Sequence, residues 1–117
     1  MTGPFQLGTP QRFADFTDGL SNVIFLGEKQ VHMDKHGVGS LDSSLYNGEH
    51  PAAHGRGTES GLTTNPRDGG AKFGSRHTGV VQFCFGDGRV RPISVNIDPY
   101  TFDLLGTRGH GKVIPDF

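Results

Sequence analysis

An apolar run, a glycine-rich turn and a second β-prone run constrain the fold of this chain more than any other feature. The first run is Val80–Phe85, the turn is Gly-Asp-Gly at positions 86–88, and the second run covers residues 90–97. Two such segments joined by a short Gly/Asp connection are typical of an antiparallel hairpin, because tight turns need residues that adopt positive φ at little cost. The sequence therefore predicts a hairpin over about residues 79–97.

The two faces of the first predicted strand differ in polarity. Side chains alternate along a strand, so Val81, Phe83 and Phe85 share an apolar face that we expect to lie on the core. The opposite face is mixed, and we expect it to be partly covered. Pro92 lacks a backbone N–H, which places the second strand at a sheet edge or at a bulge.

A short buried strand is predicted upstream of the hairpin. Residues 23–26 are all apolar, which is typical of such a strand, and Gly27 ends the run with Glu28 just beyond it. Glu28 is open to interpretation as a buried hydrogen-bond acceptor, a ligand or a surface carboxylate, and a structural role is favoured over a site.

Turn chemistry precedes this strand. Asp18 and Asn22 are suited to capping backbone donors, and Gly19 is suited to positive φ. A helical turn just before them is expected to place Phe13 and Phe16 on one side.

A helix is predicted after the hairpin. Asp98 before a proline is a helix-start signal, so we expect a helix over Pro99–Leu105 that ends at Gly106, with Phe102 facing inward. A short final strand is expected at residues 113–114.

Length and composition indicate one domain of the α+β class. A chain of 117 residues is near the usual size for a single core, so residues 1–117 are treated as one unit. The 19 glycines and seven prolines require many turns, whereas nine phenylalanines permit a core. The expected fold is an antiparallel sheet that contains the hairpin and the 23–27 strand, with short helices and one long loop excursion.

Charge and apolar content exclude several classes of function. A formal net charge of −1 provides no electrostatic surface for nucleic acid or an acidic membrane. The single cysteine, Cys84, excludes an intrachain disulfide framework and is expected to be a small buried apolar residue. No stretch approaches the ~18 apolar residues that a membrane span needs, and residues 1–11 lack the regions of a signal peptide.

Residues 29–72 show no regular periodicity. Glycines interrupt the interval, with Ser, Asn and Asp between them, and so long an insertion in a compact domain is typically functional or only partly ordered. We expect loops with at most one short strand or helical turn. The few apolar side chains that could attach the interval to the core are Val31, Val38, Leu41, Leu45, Tyr46 and Leu62.

Four of the six histidines fall in this interval. They form two pairs, His32 with His36 and His50 with His54, and the two members of each pair are four positions apart. On a helix, the two imidazoles of such a pair would face one Zn²⁺ or other transition ion. Neither pair lies on a convincing helix, so solvated loop histidines are the favoured alternative. A Ca²⁺ site is the other metal considered, although the sequence contains no loop of the EF-hand type. We otherwise expect no cofactor.

The sequence nominates no enzyme. His77 and Asp87 would lie about 33 Å apart along an extended strand at ~3.3 Å per residue, so they are not expected to touch. We expect Asp87 to stabilise its turn and His77 to anchor the strand entrance against Glu28 or a backbone carbonyl. Ser75 lacks the nucleophile elbow of hydrolases, and no phosphate-binding loop is present.

Three segments resemble one known family. His77, nine further residues and then Asp87 and Gly88 resemble the H-x9-D-G signature of a bacterial family of unknown function associated with prepilin-type sequences. Residues 17–28 are similar to its Thr-Asp-Gly-x-Ser-Asn-x-Ile-x-x-Gly-Glu segment, and residues 104–114 to its closing helix-turn-strand. The residues that carry the first two matches are Asp18, Gly19, Ser21, Asn22, Gly27, Glu28, His77, Asp87 and Gly88.

The resemblance implies the globular head of a pilin-like protein, with variable material in residues 29–72. Members normally begin with a prepilin cleavage site and a long apolar helix, and this sequence departs from them by containing neither. The implied role is a non-enzymatic minor pilin-like (pseudopilin) subunit of a type II secretion or type IV pilus-like system in the cell envelope. Its expected partners are other pilin-like subunits, secretion-apparatus proteins or further copies of the chain. The alternative is a soluble metal- or ligand-binding module that uses the histidines of residues 32–54.

Overall fold

The computed structural model describes residues 3–6, 8–44 and 50–117 and has the predicted α+β class. The strands are β1 (Ile24–Gly27), β2 (Gly57–Thr63), β3 (Lys72–Gly74), β4 (Val80–Phe85) and β5 (Val90–Ser94), and the α-helices are α1 (Pro51–His54) and α2 (Pro99–Leu105). Single 3-10 turns lie at Phe13–Asp15, Leu20–Asn22 and Met33–Lys35. Among these described helices, none is long and apolar enough to cross a membrane.

The predicted hairpin is confirmed as β4 and β5 of a three-stranded antiparallel sheet with the order β1-β4-β5. Gln82 lies opposite Pro92 in the register, and the pairs three positions away on either side are hydrogen-bonded, Val95 N to Gly79 O at 3.0 Å and Phe85 N to Arg89 O at 2.9 Å. Hydrogen-bonded and non-bonded pairs alternate in antiparallel sheets, so the nitrogen of Pro92 faces away from β4. The proline therefore stands on the outer edge of β5, where a backbone donor is not needed by the sheet.

The core lies on one face of this sheet, as the alternation predicts. Val81, Phe83 and Phe85 are buried, whereas the intervening side chains of β4 are half-buried. Helix α2 covers the buried face, where the rings of Phe83 and Phe102 meet edge to face at a centroid distance of 5.7 Å. The buried cluster comprises Ile24, Val81, Phe83, Phe85, Ile93, Phe102 and Leu105.

The predicted bounds of α2 are confirmed. Asp98 Oδ2 accepts a hydrogen bond from Thr101 N at 2.9 Å, which satisfies one of the free donors at the helix start. The helix ends at Gly106, and both Phe102 and Leu105 are fully buried.

Residues 29–72 contain more regular structure than predicted, so the expectation of at most one short strand or helical turn is wrong. They include a 3-10 turn, α1 and β2, and β2 pairs in parallel with β3 to form a second sheet. The glycines and polar residues of β2 give it little intrinsic strand preference. Tertiary contacts supply the rest, because Leu62 packs against the core and Thr58 Oγ1 donates to Asp103 Oδ1 of α2 at 3.1 Å.

The apolar attachments of this interval are also only partly as predicted. Leu62 packs on the core cluster, whereas Val38 is exposed. Leu45 and Tyr46, two of the predicted attachments, lie outside the described residues.

Three smaller expectations are wrong. Residues 113–114 are not part of a strand. Phe13 is exposed while Phe16 is buried, because the backbone at Phe16 has already left the 3-10 turn. The 23–26 segment is not buried throughout, since Leu26 is 54% exposed on the outer face of the sheet.

Candidate functional site

Glu28 links three parts of the fold. It follows β1, and its Oε2 accepts a hydrogen bond from Gln82 N of β4 at 2.8 Å. Its Oε1 lies 2.9 Å from Nε2 of His77, and its backbone oxygen accepts from Gly74 N at 3.0 Å. Both carboxylate oxygens of Glu28 are therefore engaged within the protein.

His77 stands in the bend between β3 and β4. Its backbone N–H donates to Ser75 Oγ at 3.1 Å, and the Ser75 hydroxyl in turn donates to Val80 O. Of the two partners considered for its ring, Glu28 is the one found, because Nε2 contacts that carboxylate. A carboxylate only accepts hydrogen bonds, so Nε2 carries the hydrogen and Nδ1 has no partner among the described residues.

Asp87 has a separate role at the far end of β4. Its Oδ1 accepts from Arg89 N at 2.9 Å, and Gly88 adopts a positive φ of 85° in the same turn. No hydrogen bond or ion pair joins Asp87 to His77, both of which lie in the described part of the chain. The two residues of the H-x9-D-G pattern thus occupy opposite ends of one strand.

Asp18 makes a long-range contact that the sequence did not predict. Its two oxygens accept from His110 N at 2.7 Å and from Gly111 N at 2.9 Å, so the donors that it caps lie 92 and 93 residues away rather than nearby. The His110 ring lies against the same carboxylate, with Nε2 3.4 Å from Asp18 Oδ2. The only sequence signal for His110 is its place in the third segment of the family resemblance.

The surrounding positions of the 17–28 segment are also used structurally. Gly19 has a φ of 90°, as expected for a turn glycine, and Asn22 Nδ2 donates to Asp18 O at 2.7 Å. Ser21 O accepts from the Arg89 guanidinium at 3.4 Å. At Gly27, an added Cβ would lie only 2.5 Å from the Phe83 ring, so only glycine permits this approach of β1 to the core.

The four histidines proposed as metal ligands are not assembled into one site. His32 and His36 flank the 3-10 turn Met33–Lys35, and His50 and His54 flank or end α1. Nδ1 of His32 already accepts from Asp34 N at 3.1 Å. Within the described ranges, no group of three or more His, Cys, Asp or Glu side chains is arranged to hold a metal ion. Metal binding stays a prediction.

Two open cavities border these residues. A groove of about 540 Å³ has the Glu28–His77 pair on one side; its lining residues include Glu28, Lys29, His36, Asp42, Arg76 and His77. An apolar cleft of about 250 Å³ lies near the chain start and includes the rings of Phe5, Phe13, Phe16 and Phe25.

Burial and hydrogen bonding shift three pKa values near the 29–72 interval. Burial lowers the pKa of Lys29, Arg56 lowers it further by repulsion, and Asp42 opposes these effects. Burial also lowers the pKa of Arg56. The hydrogen bond from Lys72 is the largest cause of the lowered pKa of Asp68, followed by the bond from Gly70 N. The Lys29 ammonium donates to Leu41 O and Ala53 O, which joins two parts of the interval.

The fold and these contacts define a small α+β domain whose motif carboxylates connect distant segments of the chain. The chain belongs to the family SBP_bac_10, described as a protein of unknown function (DUF1559), whose model matches residues 1–100. The 17–28 and 77–88 segments lie inside the matched residues, whereas the 104–114 segment lies beyond them. No curated protein and no solved structure matches the chain.

Proposed function

We propose that this chain is a non-enzymatic structural or interaction subunit, the globular head of a minor pilin-like (pseudopilin) protein in a type II secretion or type IV pilus-like system. The non-enzymatic part of this proposal rests on the hydrogen bonds that the carboxylates of Asp18 and Glu28 form within the fold. Asp18 and Glu28 each direct both oxygens at groups of the fold itself. Oxygens engaged in this way support a structural role for these carboxylates over a role as general base or nucleophile.

The surroundings of His77 also support this proposal. A hydrolase would need a nucleophile beside the imidazole, and the neighbouring hydroxyl is that of Ser75. Ser75 is buried, and its Oγ contacts Val80 O and His77 N–H. A hydroxyl engaged in this way supports the bend before β4 rather than a reaction.

The pilin-like part of the proposal rests on the resemblance of the three segments and on membership of the family. In this proposal the domain lies in the cell envelope and contacts other pilin-like subunits, secretion-apparatus proteins or further copies of itself. The partner-facing surface is the variable 29–72 interval, in which residues 33–40 are exposed. Among the described residues of that interval, Leu62 alone belongs to the partly buried apolar residues packed on the core cluster, so the surface of the interval can vary at little cost to the fold.

Site-specific photo-crosslinking in the bacterium that encodes this chain tests the proposal. A photoreactive residue replaces Lys35, which is exposed in the 29–72 interval, or Val113, which is 91% exposed outside it. We expect the full native gene product in the envelope fraction, with crosslinks to pilin-like subunits from position 35 and not from position 113. A strain without prepilin peptidase should lose these crosslinks.

Two results would overturn the proposal. A cytosolic protein without crosslinks to pilin-like subunits would exclude the envelope role. Crosslinks from position 113 alone would show that the 29–72 interval is not the interaction surface.

A further inference from the structure

We propose that His110 is a pH-sensitive switch for residues 112–117: when its ring gains a proton, it releases the N–H of Lys112 and loosens this segment from the core. This inference goes beyond the pilin-like role and does not depend on it. It concerns a buried histidine to which the proposed function assigns no task.

Titratable side chains accept three consecutive backbone donors where this segment begins. Asp18 accepts from His110 N at 2.7 Å and from Gly111 N at 2.9 Å. Lys112 N donates to Nδ1 of the His110 ring at 2.9 Å. The attachment of residues 110–112 therefore depends on the protonation states of two side chains.

The contact at Nδ1 defines the protonation state of His110 in the structure. A ring nitrogen that accepts a hydrogen bond carries no hydrogen, so the ring is neutral and its hydrogen is on Nε2. Nε2 is buried without a hydrogen-bond partner, and it lies 3.4 Å from Oδ2 of Asp18. The neutral ring thus satisfies the N–H of Lys112 and leaves its own N–H unpaired.

Protonation of the ring reverses this arrangement. A proton on Nδ1 turns the acceptor for Lys112 N into a donor, so that hydrogen bond must break. The charged ring is at the same time attracted to the carboxylate of Asp18, and hydrogen bonds between imidazolium and carboxylate are among the strong ones. The neutral ring therefore favours the contact with Lys112 N, and the charged ring favours the contact with Asp18.

Asp18 is the charged side chain that faces the imidazole from another part of the fold. Both members of this pair are more than nine-tenths buried, so solvent screens their interaction little. The charged neighbours on the segment itself are directed elsewhere. Arg108 donates to Gln6 Oε1 at 3.4 Å, and the Lys112 ammonium lies over the Tyr100 ring, 5.6 Å from its centroid.

Residues 112–117 cover apolar side chains of the core. Ile114 packs against the buried cluster, and the ring of Phe117 is stacked with that of Phe85 at a centroid distance of 6.3 Å. The Arg91 guanidinium lies 4.1 Å from the centroid of the Phe117 ring. This described segment belongs to no helix or strand, so loss of the bond at Lys112 N removes part of its attachment and opens the apolar surface beneath it.

NMR on the full chain between about pH 8 and pH 5 tests the proposal. At the upper end, the ring nitrogen shifts should show the Nε2–H tautomer of His110. As the pH falls, exchange protection at Lys112 N, corrected for the intrinsic rate, should decrease about fivefold or more with the midpoint of the His110 ring titration. The amides of His110 and Gly111 should keep their protection, and ¹⁵N relaxation should show increased motion in residues 113–117.

His110→Asn separates protonation from loss of the acceptor. An asparagine oxygen accepts from the N–H two residues on and does not titrate, so Lys112 N should stay protected over the whole pH range. His32→Asn is the matched control, because Nδ1 of His32 also accepts from the N–H two residues on, that of Asp34, at 3.1 Å. This control should leave the transition at Lys112 unchanged.

An Nδ1–H tautomer of His110 at the upper pH would overturn the proposal, as would protection at Lys112 N that does not follow the ring titration. An unchanged transition in folded His110→Asn, or its loss in folded His32→Asn, would have the same consequence. Unchanged relaxation in residues 113–117 would show that the bond at Lys112 N does not control the segment. The measurements on the wild type decide the matter if a variant fails to fold.

Discussion

Two of the histidine–carboxylate pairs in the described part of the chain, Asp18–His110 and Glu28–His77, differ in burial. The side chains of Asp18 and His110 are 9% and 6% exposed, whereas those of Glu28 and His77 are 35% and 54% exposed. In both pairs the carboxylate also accepts backbone N–H groups, two at Asp18 and one at Glu28. The ring contacts also differ, because Nε2 of His77 is hydrogen-bonded to Glu28 at 2.9 Å, whereas Nε2 of His110 lies 3.4 Å from Asp18 without a hydrogen bond. We expect burial to set both the cost of losing a partner and the access of solvent.

The buried pair is the larger contributor to stability. A carboxylate out of water must be hydrogen-bonded, and removing Asp18 takes the acceptor from the backbone N–H groups of His110 and Gly111. The exposed pair is screened by solvent, and such pairs contribute about 0–1 kcal/mol. Exposure instead leaves the His77 side chain accessible to solvent.

The largest effect is expected for Asp18→Ala. This substitution removes both acceptors for His110 N and Gly111 N, and we expect it to lower the free energy of unfolding by about 3 kcal/mol. Urea unfolding followed by circular dichroism measures the change. Asp116→Ala, at an exposed position, is the control and should have almost no effect. Equal stability of Asp18→Ala and Asp116→Ala would mean that the buried Asp18–His110 pair contributes no more to stability than an exposed carboxylate does.

A smaller loss is expected for Glu28→Ala. Gln82 N loses a charged acceptor and His77 loses its partner, at a cost of about 1.5 kcal/mol in the free energy of unfolding. The same urea titration measures it, with the exposed Glu59→Ala variant of β2 as the control. A cost as large as that of Asp18→Ala would mean that exposure does not weaken this contact.

A third carboxylate, that of Asp68, tests within the 29–72 interval whether hydrogen bonds to a carboxylate stabilise the fold. Asp68 accepts from Lys72 Nζ and Gly70 N, both at 2.9 Å, and these bonds lower its pKa. Because the pKa is lower in the folded chain, this contribution is complete above the ordinary aspartate pKa of about 3.9. It is lost as pH falls through the folded pKa.

Asp68→Asn should therefore reduce stability by about 1 kcal/mol at neutral pH and by progressively less in acid. Unfolding free energies measured from pH 7 down to the acid transition check this. A difference from the wild type that does not shrink with falling pH would contradict the assignment.

The smallest effect on stability is expected for His77→Gln. The glutamine amide can still donate to Glu28, and the pair is exposed, so the free energy of unfolding should change by less than about 0.5 kcal/mol. A large decrease in the free energy of unfolding would mean that His77 contributes to stability as much as the buried Asp18–His110 pair does.

Local signals in the sequence predicted the elements that form from their own residues. The Gly-Asp-Gly turn and the alternation of Val81, Phe83 and Phe85 predicted the hairpin, and Asp98 predicted the start of α2. The pairing of β2 with β3 was missed because the glycine-rich sequence of β2 is stabilised by contacts with α2 and the core rather than by strand preference.

The candidate site was predictable only in part, because its contacts join distant segments. The sequence suggested Glu28 as one of two partners for His77, although the two lie 49 residues apart. It assigned Asp18 to a local turn, since nothing in the pattern indicates donors at His110 and Gly111. The four loop histidines share a spacing along the chain, but spacing does not bring side chains together without a helix to present them.

Amide hydrogen exchange measured by NMR on the wild type, Asp18→Ala and Glu28→Ala tests most directly whether these two carboxylates stabilise distant segments, because alanine removes every side-chain acceptor. We predict that Asp18→Ala accelerates exchange at His110 and Gly111 by about tenfold or more relative to Gln82, and that Glu28→Ala accelerates exchange at Gln82 relative to His110 and Gly111. Unchanged exchange at His110 and Gly111 in folded Asp18→Ala would contradict this prediction, because the Asp18 contact would then contribute nothing to holding the end of the chain.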